Sequence, residues 1–189
     1  MLDKNMILSI LIPTVPERRA QFGRLFDKIN AQAEGKAVEI LSFCDNRRRS
    51  IGLKRQSLLD AAAGRYSAFV DDDDNVSDDY ISELYNAAKS SVHVISFRQD
   101  ASWNGDRSEV QFSIQNEDEG FNPGGITKRF PWHSCAWRTD VARRAVFSDK
   151  NWGEDHDWVC QLKPLQLVEA HIPRVLHHYC HTDAASLAH

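Results

Sequence analysis

Tyr66-Ser67-Ala68-Phe69-Val70-Asp71-Asp72-Asp73-Asp74-Asn75 is the stretch on which the reading of this chain turns. A strand-like apolar run ends in four consecutive carboxylates. Buried side by side, four like charges would raise one another's pKa values. A divalent cation relieves that repulsion, and Mg²⁺ or Mn²⁺ usually takes one or two carboxylates plus the phosphate oxygens of a substrate. In open α/β sheets, ligands bind beyond the carboxyl ends of the strands, and the acidic run sits at such an end. The plain alternative is a solvated acidic turn, because charge runs usually face water.

Toward the N-terminus, Met6 to Ile12 is a near-continuous apolar run closed by Pro13. That is the pattern of a strand covered on both faces. Two prolines hold Pro13-Thr14-Val15-Pro16-Glu17-Arg18-Arg19 extended. Phe22, Leu25, Phe26 and Ile29 recur at helical spacing and predict a helix from about Glu17 to Gln32, ended by Gly35. Val38 to Cys44 reads as a second strand, running into Asp45. This β-α-β order predicts a parallel sheet with a right-handed crossover. After the basic loop Arg47-Arg48-Arg49, residues Ile51 to Gly64 suit a helix, with Gly64 as its cap. Lys54 and Arg55 near its start are either surface cations or a pair of pyrophosphate ligands. The guanidinium fork of arginine matches phosphate oxygens.

Toward the C-terminus, Ser77-Asp78-Asp79 opens a helix whose apolar face is Tyr80, Ile81, Leu84, Tyr85 and Ala88. Val92 to Phe97 reads as a strand, Asn104-Gly105 as a hairpin turn, and Val110, Phe112 and Ile114 alternate after it. Gln115 to Lys128 reads as a loop, near a site or merely on the surface. Pro131 to Arg138 is aromatic-rich and extended, and Thr139 caps a short helix through Ala145. Asn151 to Trp158 sets three carboxylates and His156 between two tryptophans. A carboxylate against aromatic walls is tuned toward general-base work, whereas an acid-rich helix start is what the macrodipole would favour anyway. Ile172 to His181 is strand-like and carries His177, His178, Cys180 and His181. No second half with zinc-ligand spacing exists, so a histidine completing an aspartate-held metal site is preferred to zinc, with a core histidine as the plain alternative.

The 189 residues, 42% hydrophobic and 26% charged, fit one globular domain, 1–189. No apolar run approaches the roughly 20 residues that span a bilayer, and the start lacks the pattern of a leader peptide. A soluble protein with no stable membrane insertion is expected. Cys44, Cys135, Cys160 and Cys180 are far apart and form no CxxC pair, which reads as reduced thiols in the cytoplasm. The net charge of −4 gives no global attraction to nucleic acid, so any such contact needs a local patch such as Arg47-Arg48-Arg49 or Arg143-Arg144.

Taken together, these parts resemble the GT-A fold of nucleotide-sugar glycosyltransferases, particularly the large family-2 group. Ile10-Leu11-Ile12-Pro13-Thr14 resembles the family's first strand and its turn over the nucleotide base. Asp45 resembles the acid that contacts base or ribose. Gly52-Leu53-Lys54-Arg55-Gln56 resembles the Gly-x-x-Arg-Asn segment near the pyrophosphate, with Gln56 in place of Asn. Asp71 and Asp73 resemble the DxD pair, and Gly153-Glu154-Asp155 the Glu-Asp motif whose Asp is the base of inverting members. Leu176-His177-His178-Tyr179 resembles the segment in which a histidine or tyrosine completes the site.

The resemblance implies a single Rossmann-like α/β domain with a mixed, mostly parallel central sheet flanked by helices. Residues 1–100 would be its nucleotide-binding half and 101–189 its acceptor and catalytic half. It implies a nucleotide sugar, most naturally a UDP-sugar, held by Pro13, Thr14, Val15, Glu17, Arg18, Asp45, Lys54, Arg55, Asp71 and Asp72. Mn²⁺ or Mg²⁺ would sit on Asp71, Asp73 and His178, with Asp155 and Glu154 catalytic. The acceptor would be a saccharide or, in a second reading, a hydroxymethylated base in DNA, which must be flipped out. A nucleotidyltransferase is disfavoured because no Gly-rich loop follows the first strand. A non-catalytic binding module would need neither Asp155 nor an intact aspartate pair.

Overall fold

The computed structural model describes residues 6–181. In chain order the elements are β1 (Leu8–Thr14), a 3₁₀ turn (Pro16–Arg18), α1 (Arg19–Ala33), β2 (Val38–Cys44), α2 (Ile51–Ala61), β3 (Tyr66–Phe69), β4 (Asn75–Val76), α3 (Tyr80–Ala87), β5 (Val94–Trp103), β6 (Asp106–Phe112), β7 (Ile126–Arg129), β8 (Ala136–Arg138), α4 (Thr139–Ala142), α5 (Glu154–Leu162) and β9 (Glu169–His181). The main sheet path runs β2-β1-β3-β8-β5-β6-β7, and β9 bridges β5 to the short β4.

β1 lies between β2 and β3 and is parallel to both. All seven of its residues are buried. Leu8, Ile10 and Ile12 join Leu25 and Ile29 of α1 and Tyr80, Ile81 and Leu84 of α3. Leu11 faces the opposite core, with Leu58 and Leu59 of α2 and Trp158, Val159 and Leu162 of α5. The strand alternates while both faces are covered, which explains the unbroken apolar run. Antiparallel pairings begin where β8 inserts between β3 and β5.

Several sequence expectations shift in detail. The first helix begins as a 3₁₀ turn with Pro16 at its first position, where its missing N–H costs nothing, and α1 proper follows from Arg19. Gly64 does not cap α2, which ends at Ala61. A Cβ at Gly64 would lie 2.6 Å from the backbone nitrogen of Ser9, so its role is close approach to β1. The strand expected at Val92 to Phe97 runs on to Trp103, and the hairpin turn at Asn104-Gly105 has both residues at positive φ, as a type I′ turn requires. The polar 115–128 loop is tied down. Asp118 accepts hydrogen bonds from Phe130 N (3.1 Å), Trp132 Nε1 (2.9 Å) and Lys163 Nζ (2.6 Å). Its last residues enter β7, parallel to β6.

Candidate functional site

β1, β2 and β3 all end at one edge, at Thr14, Cys44 and Phe69. Beyond that edge lies a cavity of about 650 Å³. Its walls bring together Pro13, Thr14, Val15 and Arg18 after β1, Lys54 and Arg55 of α2, and Asp71 to Asp74. Glu154 and Asp155 at the start of α5 complete the same wall. Of the residues expected around the nucleotide sugar, Glu17 and Asp45 are not among the lining residues. Asp45 supports the site from behind, as the partner of Lys54 at 2.7 Å.

The four aspartates have four different environments. Asp71 meets Arg55 at 3.0 Å through both Nη1 and Nη2. Burial alone would raise its carboxyl, but the guanidinium overrides this and holds it well below the usual range. Asp72 accepts from Thr14 Oγ1 (2.7 Å) and Arg18 (2.9 Å). Asp73 lies 3.0 Å from Arg18. Burial beside Asp71 and Asp74 pushes its carboxyl up to about 7. Asp74 is buried with His177, Nε2 to Oδ2 at 3.3 Å, and Gln99 holds the other ring nitrogen at 2.9 Å. The run is therefore not one solvated patch: Asp71 faces α2, Asp72 and Asp73 share Arg18 of the 3₁₀ turn, and Asp74 faces β9.

Arg55 ties the motifs together. Its Nε donates to Glu154 at 3.1 Å while its terminal nitrogens hold Asp71, and it lies over the Phe69 ring. Glu154 is buried in this contact; burial pushes its carboxyl up against the opposing pull of Arg55. Lys54 Nζ donates to the Thr14 carbonyl at 3.0 Å besides pairing with Asp45. Both cations thus lie inside the fold, spoken for by partners, with one side toward the cavity. Gly52 allows this packing: a Cβ there would fall 1.9 Å from the Ser148 carbonyl oxygen, just before α5. Gly153, at φ +73°, turns the chain into α5 and sets Glu154 and Asp155 in its first turn, where the macrodipole favours acids.

On β9 the structure brings His177 to the aspartates and turns His178 away. His178 Nδ1 is 3.6 Å from Asp100, and its side chain is half exposed. The antiparallel pairing of β4 with β9 fixes this, placing Val76 opposite His177 and Asn75 opposite His178. The sequence pattern could not choose, because successive strand residues face opposite sides and the register was unknown. Among the described residues, no group of three His, Cys, Asp or Glu side chains forms a ready metal site. A tetrahedral zinc at the 177–181 tract therefore has no cage. A hard divalent cation asks less of the protein, since substrate phosphates and water supply most of its ligands. Asp73, with its raised carboxyl beside Asp71 and Asp74, fits that partial role.

The far end of the cavity was not foreseen. Gln99, Ala101 and Trp103 of β5 pair in register with His177, Tyr179 and His181 of β9. All six line the cavity, together with Val110 and Phe112 of β6 and Phe121 of the tethered loop. Trp103 and His181 stack with ring centroids 3.9 Å apart. Trp152, largely exposed, meets His181 edge-on at 6.1 Å. A period-two alternation on β5 and β9 could have flagged one side of this surface, but only the pairing shows that the two strands share it.

No curated protein matches the chain. Among solved structures, TarS of S. aureus (fragment 1–349) in complex with UDP-GlcNAc is similar with a TM-score of 0.64 at 10% identity, over 94% of this chain and 59% of that one. The same fragment in complex with UDP gives 0.64 at 12% identity, over 94% and 61%. The longer TarS chain gives 0.62 at 9%, over 93% and 37%. The chain thus spans at most about six-tenths of these neighbours, and the likeness is one of fold, the GT-A fold. The family model described as glycosyl transferase family 2 matches residues 42–147, more than half of the chain, from the second strand through the aspartate run to the approach of α5. With its aspartates, its buried cations and the Glu154-Asp155 pair facing one cavity, this chain belongs to glycosyl transferase family 2.

Proposed function

We propose that the protein transfers a sugar from a UDP-sugar to a hydroxyl of a saccharide acceptor, with inversion at the anomeric carbon. The observation that carries this reading is that Lys54, Arg55, Asp71, Asp73 and Asp155 all line the same cavity. The nucleotide would lie along Pro13, Thr14, Val15 and Arg18 at the end of β1, with its diphosphate toward Lys54 and Arg55. Asp71 and Asp73 would hold Mn²⁺ or Mg²⁺, with His177 behind them on Asp74. The cation's contribution would be to neutralise charge on the departing diphosphate. Arg55 and Lys54 already sit in place, so little reorganisation is needed as that charge develops.

Asp155 is the base in this reading. The acceptor oxygen bonds to the anomeric carbon as the bond from that carbon to the diphosphate oxygen breaks. Its proton passes to the Asp155 carboxylate. Glu154 has a different role: it faces Arg55 and holds the guanidinium on Asp71. The TarS complexes with UDP-GlcNAc and UDP support the choice of a UDP-sugar by likeness of fold.

The aromatic end supports a saccharide acceptor, because the apolar C–H face of a sugar ring packs against aromatic side chains. At strand rise, the Trp103–His181 rung is about 13 Å from the Gln99–His177 rung, longer than a single sugar ring. The DNA-base reading loses one of its anchors: Arg143 is occupied by the carbonyls of Leu59, Asp60 and Ala62. Arg47 leans on Glu17 and Arg49 on Phe43. A saccharide is therefore preferred.

The test is thermal unfolding of the protein with UDP and UDP-sugars, with and without Mn²⁺. A ligand at a hundredfold excess over its Kd stabilises the native state by about 2.7 kcal/mol. A Mn²⁺-dependent upward shift with UDP, abolished in Asp73→Ala, is the expected result. No shift with any nucleotide sinks the reading.

A further inference from the structure

Each carboxylate oxygen of Asp155 has a nitrogen beside it. Its Oδ1 accepts from the backbone N–H of His156 at 2.7 Å. Its Oδ2 lies 3.4 Å from Nδ1 of His133, a residue 22 positions earlier in the chain that no motif singled out. His133 stands in the turn before β8, and its carbonyl accepts from Phe69 N at 3.2 Å, so its backbone is fastened to the last residue of β3. Its ring packs against the Phe69 ring, centroids 6.1 Å apart. Nδ1 is buried and has no hydrogen bond of good geometry among the described residues. A buried ring nitrogen left without a partner is costly, and the carboxylate beside it is the group able to satisfy it.

We propose that His133 is a positioning residue: its Nδ1–H donates to Oδ2 of Asp155 and fixes the direction in which that carboxylate meets the acceptor hydroxyl. This rests on the reading of Asp155 as the base. Burial, then the neighbouring Arg55, disfavours the imidazolium, so the ring is held as a neutral donor. A charged ring would share the Asp155 charge; a neutral one directs the carboxylate and leaves its negative charge available to the incoming proton.

Two measurements test it. Long-range ¹⁵N–¹H correlation spectra of the wild-type protein report the His133 tautomer without any substrate. The Nδ1–H form is expected at pH 7.5, moving toward a mixture in Asp155→Ala; a wild-type Nε2–H form overturns the proposal. The second is UDP release from the UDP-sugar that binds in the unfolding assay. His133→Ala and His133→Gln should lower kcat at least 10-fold with little change in donor KM. His133→Asn, whose amide nitrogen falls near the position of Nδ1, should recover most of that loss. Asn no better than Ala, or Ala equal to wild type, also overturns it. If UDP fails to bind at all, the transferase reading fails while the tautomer result still decides whether His133 donates to Asp155.

Discussion

The two ends of the cavity are built on opposite principles. At the carboxyl edge of β1–β3 the walls are charges already paired: Lys54 with Asp45, Arg55 with Asp71 and Glu154, Arg18 with Asp72 and Asp73. At the β5–β6–β9 end the walls are rings and small apolar side chains: Trp103, Tyr179, His181, Ala101, Val110 and Phe112. Fixed charges suit a ligand with a fixed charge pattern, such as a diphosphate, because they need not reorganise to meet it. Stacking surfaces tolerate variation in what they hold, since contact area rather than directional bonding carries the affinity. In the proposed reading, the difference would make the charged half specific for the donor and leave the aromatic half free to change with the acceptor.

The largest effect should come at the seam between the ends. Asp155→Asn should lower the transfer rate by about 10²–10⁴-fold, the usual contribution of a general base, with UDP affinity retained; single-turnover UDP release alongside calorimetric UDP titration checks both parts. A variant that turns over normally would dissolve the seam.

Next is Arg55→Ala. It strands the buried carboxylate of Glu154 and the partly buried one of Asp71, and breaking a buried pair on one side costs about 3–5 kcal/mol. Urea unfolding should show this loss, together with failure to bind UDP. The matching probe at the other end is Trp103→Ala. Loss of a stacked aromatic partner should leave UDP affinity unchanged and raise acceptor KM about 2- to 10-fold, in line with about 0.5–1.5 kcal/mol for an aromatic pair beyond its buried area. If Trp103→Ala weakens UDP instead, the division into two ends is wrong.

The charged end also carries a pH dependence. The folded-state carboxyl of Asp73 titrates at about 7, above its ordinary 3.8. In cation-free buffer its contribution to stability is therefore fully present below its ordinary value and lost as pH rises through 7. Asp73→Asn should melt higher than wild type at pH 8, and the gap should close toward pH 4. Mn²⁺ with UDP should narrow the same gap by raising the wild type. A gap that persists at pH 4 would assign the effect to packing rather than charge.

What the sequence determined by itself is the charged end of the cavity. An apolar run into Asp71, a proline-closed first strand, and cations one turn into α2 are local patterns, and burial of a parallel strand or the start of a helix follows from local periodicity and turn chemistry. The matched family model and the shared GT-A fold agree with that reading. What only the tertiary structure decided depends on pairing between distant segments. The β4–β9 register chose His177 over His178. The β5–β9 ladder joined two unremarkable strands into one aromatic face. Packing of α5 against the turn before β8 brought His133 to Asp155. A side-chain period of two makes every such outcome hinge on a single-residue register, which no local pattern carries.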